Sequence, residues 1–221
     1  MSNSVCVEAK GILFDMDGVL ISSIGSVVRC WRRWAEIYGV PNADTYTVPH
    51  GVRAIDVVKA LRPDIDPQEG LRVIEDMEIE DMADLTVLPG VKKLLESLPQ
   101  DRWAIVTSAT RRLMLGRLEA AGLPIPQRII SGDMVERGKP DPEPYRRGAE
   151  LLGFQPAECV VVEDAPSGVG AGLAAGGRVL AVLGTHSAEE LKAAHWIVPS
   201  LTELTVVTRA DGLELKFIPL A

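Results

Sequence analysis

The chain has 221 residues, 47% of them hydrophobic and 24% charged, which fits one globular domain with an insertion and excludes a disordered or collagen-like chain. With 23 lysines and arginines against 31 aspartates and glutamates, its net charge is −8, so we expect neither nucleic acid nor membrane as a partner. The three cysteines are too scattered for a disulfide framework, no apolar run approaches the ~18 residues of a membrane helix, and the N-terminal sequence lacks a signal-peptide pattern. These features predict a cytoplasmic protein.

Short apolar runs alternate with helical periodicity through most of the chain. The runs that predict buried strands are residues 11–15, 103–107, 128–130, 159–163 and 178–182. The helices predicted between the later runs are residues 111–121, 143–152 and 168–175. Because this alternation is typical of a parallel sheet flanked by helices, we expect an α/β fold with a Rossmann-like parallel sheet. Sheets of this kind bind ligands at the carboxyl ends of their strands.

Residues 20–87 differ from the rest, because they show helical periodicity and little strand signal. The helices predicted there are residues 24–38, 54–61 and 67–84. We therefore expect a small all-helical domain at 20–87, inserted into an α/β core made of 1–19 and 88–221. An acidic stretch of the insertion is expected to be a solvated helix face, and it comprises Glu75, Asp76, Glu78, Glu80, Asp81 and Asp84. Near the end of the chain, Asp211–Gly212 predicts a hairpin.

Carboxylates follow two of the predicted strands. Asp15 and Asp17 end the first strand, on a loop that Gly18 allows to turn sharply, and Glu163 and Asp164 end the strand at 159–163. One carboxylate of such a pair can attack an electrophile or ligate a metal while the other moves protons. The plainer interpretation of the first pair is a polar turn between a strand and a helix.

Two further segments could hold an anion. Thr107, Ser108, Ala109 and Thr110 lie between a strand and a helix, where hydroxyls and backbone N–H groups suit an anion. The alternative for this segment is a simple helix N-cap. Lys139 is flanked by a glycine and a proline, which can fix its ammonium, and the alternative there is an exposed loop lysine.

In a parallel sheet these four segments share one edge, so Asp15, Asp17, Glu163 and Asp164 are expected to be close neighbours. Clustered carboxylates repel one another, and a hard divalent cation resolves the repulsion; oxygen ligands favour Mg²⁺. Such a cation, Lys139 and the hydroxyl-bearing loop would together cradle a phosphoryl group. A free aspartate that faces phosphorus can act as a nucleophile.

The four segments, FDMDGVL, VTSAT, GKPDPEPY and VVVEDAPSG, occur in this order over residues 14–168. As an ordered set they closely resemble the motifs of the haloacid dehalogenase superfamily of phosphohydrolases, and the insertion falls where members with a helical cap carry theirs. The segments PHGVRAID, LPGVKKLLESLP and WAIVTSATR add a likeness to the subfamily of small sugar and polyol phosphatases. The resemblance implies a Mg²⁺-dependent phosphatase that works through an aspartyl-phosphate.

The resemblance also implies a role for each matching residue. Asp15 would be the nucleophile, and Asp17 would protonate the leaving alcohol and then activate water. Asp164 would ligate Mg²⁺ together with the Asp15 carboxylate and the Asp17 backbone carbonyl, and Glu163 would be a further ligand or an orienting residue. The implied phosphate-binding residues are Ser108, Ala109 and Lys139, with Thr107 as the neighbouring fallback.

The inserted domain, called the cap below, is expected to set substrate specificity and to exclude water when it closes. Its loop at residues 50–53 matches the substrate-facing cap loop of the family, and the residues just past VTSAT are expected to face the leaving group. The candidate substrate-binding residues are His50, Gly51, Arg53, Thr110 and Arg111. A salt bridge with Asp56 is the alternative for Arg53.

The sequence is less consistent with three other functions than with a phosphatase. A phosphosugar mutase of the β-phosphoglucomutase type is disfavoured, because Val27 stands where those related enzymes carry a cap histidine. A dehalogenase needs no metal and lacks the second aspartate, and a non-catalytic binding protein would be expected to have lost Asp15 or Asp17. We therefore expect a small phosphorylated sugar or polyol as substrate, and a monomer, since the cap must move freely.

Overall fold

The computed structural model describes residues 4–220. Its strands, in chain order, are β1 (Val5–Ala9), β2 (Gly11–Phe14), β3 (Ile21–Ser22), β4 (Thr86–Val87), β5 (Trp103–Val106), β6 (Ile129–Ile130), β7 (Cys159–Glu163), β8 (Arg178–Val182), β9 (Trp196–Val198), β10 (Thr205–Arg209) and β11 (Gly212–Phe217). Its helices are α1 (Ile24–Ile37), α2 (Ala54–Leu61), α3 (Pro67–Glu80), α4 (Val91–Ser97), α5 (Arg111–Ala121), α6 (Glu143–Leu152) and α7 (Pro166–Ala175).

The centre of the core is a six-stranded sheet in the order β6-β5-β2-β7-β8-β9, with every neighbouring pair parallel. Every residue of β2, β5 and β7 is buried, as expected for strands covered on both faces. On one face Ile12 and Phe14 pack against residues of α4 and α5, and on the other Leu13 packs against residues of α6 and α7. The predicted α/β fold with a Rossmann-like parallel sheet is confirmed.

A second, antiparallel sheet of three strands, in the order β1-β11-β10, packs into the same core cluster as Ile12 and Phe14. The hairpin predicted near the end of the chain is present, although its turn lies at Ala210–Asp211, one residue earlier than expected. Strand β1 was not predicted. Its signal is weak because only Val7 and Ala9 of its five residues are buried.

The cap contains α1, α2 and α3 and has a hydrophobic cluster of its own, centred on the fully buried Trp34. The indole Nε1 of Trp34 donates a hydrogen bond of 2.9 Å to the Gly70 carbonyl, which ties α1 to α3. At Gly70 a β-carbon would lie 2.7 Å from Val58 Cγ1, so glycine permits α2 and α3 to pack closely.

Two expectations about the cap need correction. The helix predicted at 67–84 ends at Glu80, because the chain must turn back to form β4. The cap is also not purely helical at its base, since β3 and β4 pair antiparallel there, with Ser22 opposite Thr86. The domain boundaries themselves stay a prediction. Among the described residues, no helix combines the length and apolar character needed to cross a bilayer.

Candidate active site

Three carboxylates meet at the carboxyl edge of the parallel sheet, where β2 and β7 end side by side. Asp15, Glu163 and Asp164 are all buried, and each offers one oxygen such that these oxygens lie within 4.8 Å of one another. The loop after β2 passes directly against Asp164: a β-carbon on Gly18, whose φ is +83°, would lie 1.9 Å from Asp164 Oδ2. Only glycine fits this position, both for its backbone conformation and for the space available.

Lys139 supplies a positive charge within this cluster. Its Nζ lies 2.7 Å from Asp15 Oδ1 and 2.7 Å from Glu163 Oε1, and its side chain is fully buried. Although burial opposes its charge, the two carboxylates raise the pKa of Lys139 above its usual value. The alternative of an exposed loop lysine is therefore wrong.

The cluster is short of positive charge. Three carboxylates and one ammonium leave two negative charges in a buried space. Burial raises the pKa of Asp15 to about 7, with Lys139 opposing the rise, and burial together with Glu163 raises the pKa of Asp164 well above its usual value. A divalent cation with a preference for oxygen ligands, such as Mg²⁺, fits this donor set in both charge and chemistry.

Glu163 is saturated with hydrogen bonds. Its Oε1 accepts from Lys139 Nζ and, at 2.7 Å, from the Tyr145 hydroxyl, while its Oε2 accepts from the backbone N–H groups of Asp164 and Ala165 at 2.9 and 3.2 Å. A carboxylate has about four acceptor positions, so this side chain is committed to its protein partners. The sequence predicts no role for Tyr145, although this residue lies within the GKPDPEPY segment.

Asp17 lies at the rim of the carboxylate cluster, with its side chain 31% exposed. Its Oδ1 accepts a hydrogen bond of 2.9 Å from Ser23 Oγ, and its Oδ2 accepts one of 2.9 Å from Arg117 of α5. The same guanidinium donates to Glu78 of the cap at 3.2 Å. Glu78 is buried, so the prediction of a solvated acidic helix face is wrong at this position. The positions of the charges alone do not reveal which residues of a helix are exposed.

The loop after β5 holds the other predicted phosphate-binding residues. Thr107 Oγ1 accepts a hydrogen bond of 3.1 Å from the Ala109 N–H, and Ser108 Oγ donates one of 2.8 Å to the Gly51 carbonyl of the cap. Thr110 is the N-cap of α5, since its Oγ1 accepts from the Leu113 N–H, and it also contacts Glu75 of the cap. The N-cap interpretation of this loop is thus correct for Thr110.

The cap loop at 50–53 lies on the core. Ser167 Oγ donates to the His50 carbonyl at 3.2 Å, and a β-carbon on Gly51, whose φ is +77°, would lie 2.4 Å from that hydroxyl. Burial lowers the pKa of His50, and the neighbouring His186 lowers it further. These contacts describe a closed cap.

Arg53 forms the salt bridge with Asp56 that was the alternative to a substrate-binding role. Its Nε lies 2.7 Å from Asp56 Oδ2, and the guanidinium also donates to the carbonyls of Val135 and Glu136 of the core at 2.8 and 3.0 Å. Arg53 therefore ties the cap to the core. The side chain of Arg111 is exposed, and its backbone N–H donates to Asp133.

Between cap and core lies a cavity of about 110 Å³. Its floor includes Asp15, Asp17, Asp164 and the loop 107–110, and its cap wall is largely apolar. Representative residues of that wall are Ile24, Val27, Trp31, Val52 and Leu71. The structure thus brings the predicted catalytic aspartates and the loop 107–110 to one cavity, which His50 and Gly51 also line. Lys139 contacts Asp15 without lining the cavity, and Arg53 and Arg111 do not line it.

Comparison with known proteins agrees with this architecture. A family model described as haloacid dehalogenase-like hydrolase matches residues 9–176. Hexitol phosphatase A of Escherichia coli is 38% identical over 211 residues, covering 93% of this chain and 98% of that protein. The 2-deoxyglucose-6-phosphate phosphatase 2 of Saccharomyces cerevisiae is 31% identical, covering 90% of this chain and 91% of its own. A hydrolase structure from Pseudomonas syringae superposes with a TM-score of 0.77 at 25% identity, covering 87% and 94% of the two chains.

Proposed function

The chain belongs to the haloacid dehalogenase-like hydrolases, and from this premise we propose that it hydrolyses the phosphate monoesters of small sugars or polyols. One observation carries the proposal: a buried carboxylate, Asp15, is paired with the buried ammonium of Lys139 at 2.7 Å and borders the cavity between cap and core beside a second aspartate, Asp17. The similarity to hexitol phosphatase A and to 2-deoxyglucose-6-phosphate phosphatase 2 supports the same substrate class.

In the first step, an oxygen of the Asp15 carboxylate attacks phosphorus and forms a phosphorus–oxygen bond. The bond between phosphorus and the alcohol oxygen breaks, and its electron pair stays with that oxygen. The proton carried by Asp17 moves to the leaving oxygen, so the alcohol departs neutral. The product on the protein is the Asp15 phosphoanhydride.

In the second step, water attacks the same phosphorus and passes a proton to the ionised Asp17 carboxylate. The bond between phosphorus and Asp15 breaks, inorganic phosphate leaves, and both aspartates return to their starting states. Asp17 is suited to both transfers because it stands two residues from Asp15 at the rim of the cavity. Closure of the cap keeps bulk water from the reacting groups.

The charge shortfall of the cluster and its oxygen donors support Mg²⁺ as the cofactor. We assign Asp15, Asp164 and the Asp17 backbone carbonyl as its ligands, and we assign Glu163 to hold Lys139, because both Glu163 oxygens are already hydrogen-bonded. A bound Mg²⁺ supplies positive charge that stabilises the transferring phosphoryl group.

The phosphoryl oxygens are bound by Lys139 and by the loop after β5, through Ser108 and the Ala109 N–H, with Thr107 shaping the loop. In the closed state Ser108 donates to Gly51, so substrate binding must exchange this contact for a phosphoryl oxygen. The alcohol part faces the cap. The cavity of about 110 Å³ is consistent with a compact leaving group.

We further place the protein in the cytoplasm as a monomer. The three cysteines are free thiols, which is consistent with a reducing compartment. A mutase remains the second candidate by fold, but Val27 stands on the cavity wall where a mutase of the β-phosphoglucomutase type would carry a histidine.

The test is phosphate release from a panel of sugar, polyol and nucleotide monophosphates, each with Mg²⁺ and with EDTA. We expect Mg²⁺-dependent release that is strongest for one hexose, hexitol or glycerol phosphate. Release from none of them by folded protein would contradict the proposal. Isomerisation of a sugar phosphate without phosphate release, requiring a bisphosphate activator, would establish the mutase instead.

A further inference from the structure

Arg117 carries a buried positive charge that the reaction as described does not use. Its side chain is 5% exposed, and it projects from α5 of the core between Asp17 and Glu78. One terminal nitrogen lies 2.9 Å from Asp17 Oδ2, and the other lies 3.2 Å from Glu78 Oε2. A single guanidinium thus bridges a side chain of the reacting loop and a side chain of the cap.

The bridge fixes the carboxylate of Asp17 in space. With Ser23 Oγ at 2.9 Å from Oδ1 and Arg117 at 2.9 Å from Oδ2, both oxygens are held, and so is the plane of the carboxylate. Proton transfer depends on such positioning, because the donor must lie within hydrogen-bond reach of the oxygen that it protonates. A guanidinium presents its donors in a rigid planar fork, so its two terminal nitrogens hold the two carboxylates in a fixed mutual geometry, whereas a lysine offers only one nitrogen.

A second arginine of α5, Arg112, serves to distinguish a role in positioning Asp17 from a role that is only structural. Arg112 also pairs with the cap, through Glu75 at 2.8 Å and Asp76 at 2.6 Å, but its side chain is 54% exposed. If arginines of α5 served only to fasten the cap, Arg112 and Arg117 would be equivalent. They differ because Arg117 is buried and also grips the carboxylate of Asp17.

We propose that Arg117 and Glu78 are positioning residues for Asp17, which couple the closed position of the cap to proton transfer at the leaving oxygen. The inference rests on the proposed function, in which Asp17 moves that proton. Glu78 lies on α3 of the cap and Asp17 on the core, so the full set of contacts forms only while the cap lies on the core. Substrate binding that closes the cap therefore also aligns the proton donor.

The experiment compares a substrate that needs the proton with one that does not. An alkyl phosphate, such as the best substrate of the panel, leaves as an alkoxide unless it is protonated, whereas p-nitrophenyl phosphate leaves as a stable phenolate. The measured quantity is kcat/KM, because it reports the first chemical step and not the later hydrolysis of the phosphorylated Asp15.

For Arg117→Gln we expect kcat/KM to fall by about 100-fold on the alkyl phosphate and by less than about 10-fold on p-nitrophenyl phosphate. Arg117→Lys should recover part of the loss on the alkyl phosphate, since it retains the charge without the forked geometry. Glu78→Ala leaves Arg117 and Asp17 in place and should show the same selectivity with a smaller loss. Glu78→Ala also provides the test if removal of the buried Arg117 prevents folding.

Arg112→Ala is the matched control, and it should change kcat/KM for both substrates by the same factor. Equal losses on the two substrates in Arg117→Gln or Arg117→Lys and in Glu78→Ala, with each protein folded, would overturn the inference while leaving the proposed function intact. Absence of Mg²⁺-dependent phosphate release by the wild-type protein would instead overturn the proposed function, and with it this inference.

Discussion

The Ser108 hydroxyl donates a hydrogen bond of 2.8 Å to the backbone carbonyl of Gly51, so the cap loop rests directly on the loop that follows β5. The contact joins a proposed phosphate-binding side chain to the proposed specificity loop. Because it uses a backbone carbonyl, it does not depend on the side chain at position 51. The glycine matters because the loop lies against Ser167 and Ala165 at this point, where a β-carbon has no room.

Gly51→Ala should therefore impair the closed state. The added β-carbon would lie 2.4 Å from Ser167 Oγ, at a residue whose φ of +77° already disfavours alanine. We expect at least a tenfold loss of kcat/KM, with little change in melting temperature because the strain can be relieved by lifting the loop. Gly39→Ala is the control: φ is +63° there, but nothing lies within 4 Å of the added carbon, so only about 1 kcal/mol of stability should be lost. Equal activities of the two variants would contradict the assignment.

Lys139→Met should destabilise the protein strongly when no divalent cation is present. It removes the ammonium that pairs with Asp15 and Glu163 at 2.7 Å and leaves their carboxylates buried together. Breaking a buried ion pair in this way costs about 3–5 kcal/mol. Denaturant unfolding in EDTA measures the loss, and Mg²⁺ should restore part of it. Lys192→Met, which removes an exposed lysine paired with Glu189, should change stability by less than about 0.5 kcal/mol.

Asp15→Asn should abolish turnover without loss of the fold. The amide cannot form the phosphoanhydride, and removing one of three clustered negative charges relieves repulsion with Glu163 and Asp164. We expect the melting temperature in EDTA to be unchanged or higher than that of the wild-type protein. Phosphate release is the assay, with deamidation back to aspartate excluded by mass spectrometry. Full activity of the intact amide would show that Asp15 is not the nucleophile.

Glu78→Gln should change how stability depends on pH. Burial raises the pKa of Glu78 from 4.5 to about 7, and Arg117 offsets the rise only partly. The folded state therefore binds this proton more tightly than the unfolded state, so the wild-type protein loses stability as pH rises from about 4.5 to about 7. Relative to Glu78→Gln, the loss should reach about 3 kcal/mol. Urea titrations of both proteins at several pH values measure it, and a pH-independent difference would contradict the shift.

The site residues that the sequence predicts are those that come directly after a buried strand. Asp15 and Asp164 each come directly after a fully buried strand, and parallel topology then brings them to one edge without further information. The connection between Arg117 and Glu78 could not be predicted in this way. In the sequence Arg117 looks like Arg111 and Arg112, and Glu78 looks like its acidic neighbours; only the packing of the cap on α5 decides which of them lose contact with water.

The periodicity of the sequence predicts the helices more accurately than it predicts the short strands. The bounds predicted for α2, α5 and α6 agree with the structure, because each has clear periodicity and clear ends. Strands β3, β4 and β9 have only two or three residues each, which is too short to carry a periodic signal. They form because distant segments come together in the folded chain.

The pairing of β1 with β11 places Val5 opposite Phe217, and the pairing of β3 with β4 places Ser22 opposite Thr86. The first and last strands of the core therefore lie side by side, and so do the two segments that connect the cap to the core. Modules with adjacent attachment points can be exchanged without rerouting the chain. The cap wall, which we propose to select the leaving group, can therefore be replaced as a unit, while the proposed phosphoryl-transfer residues keep their strands, their order and their register.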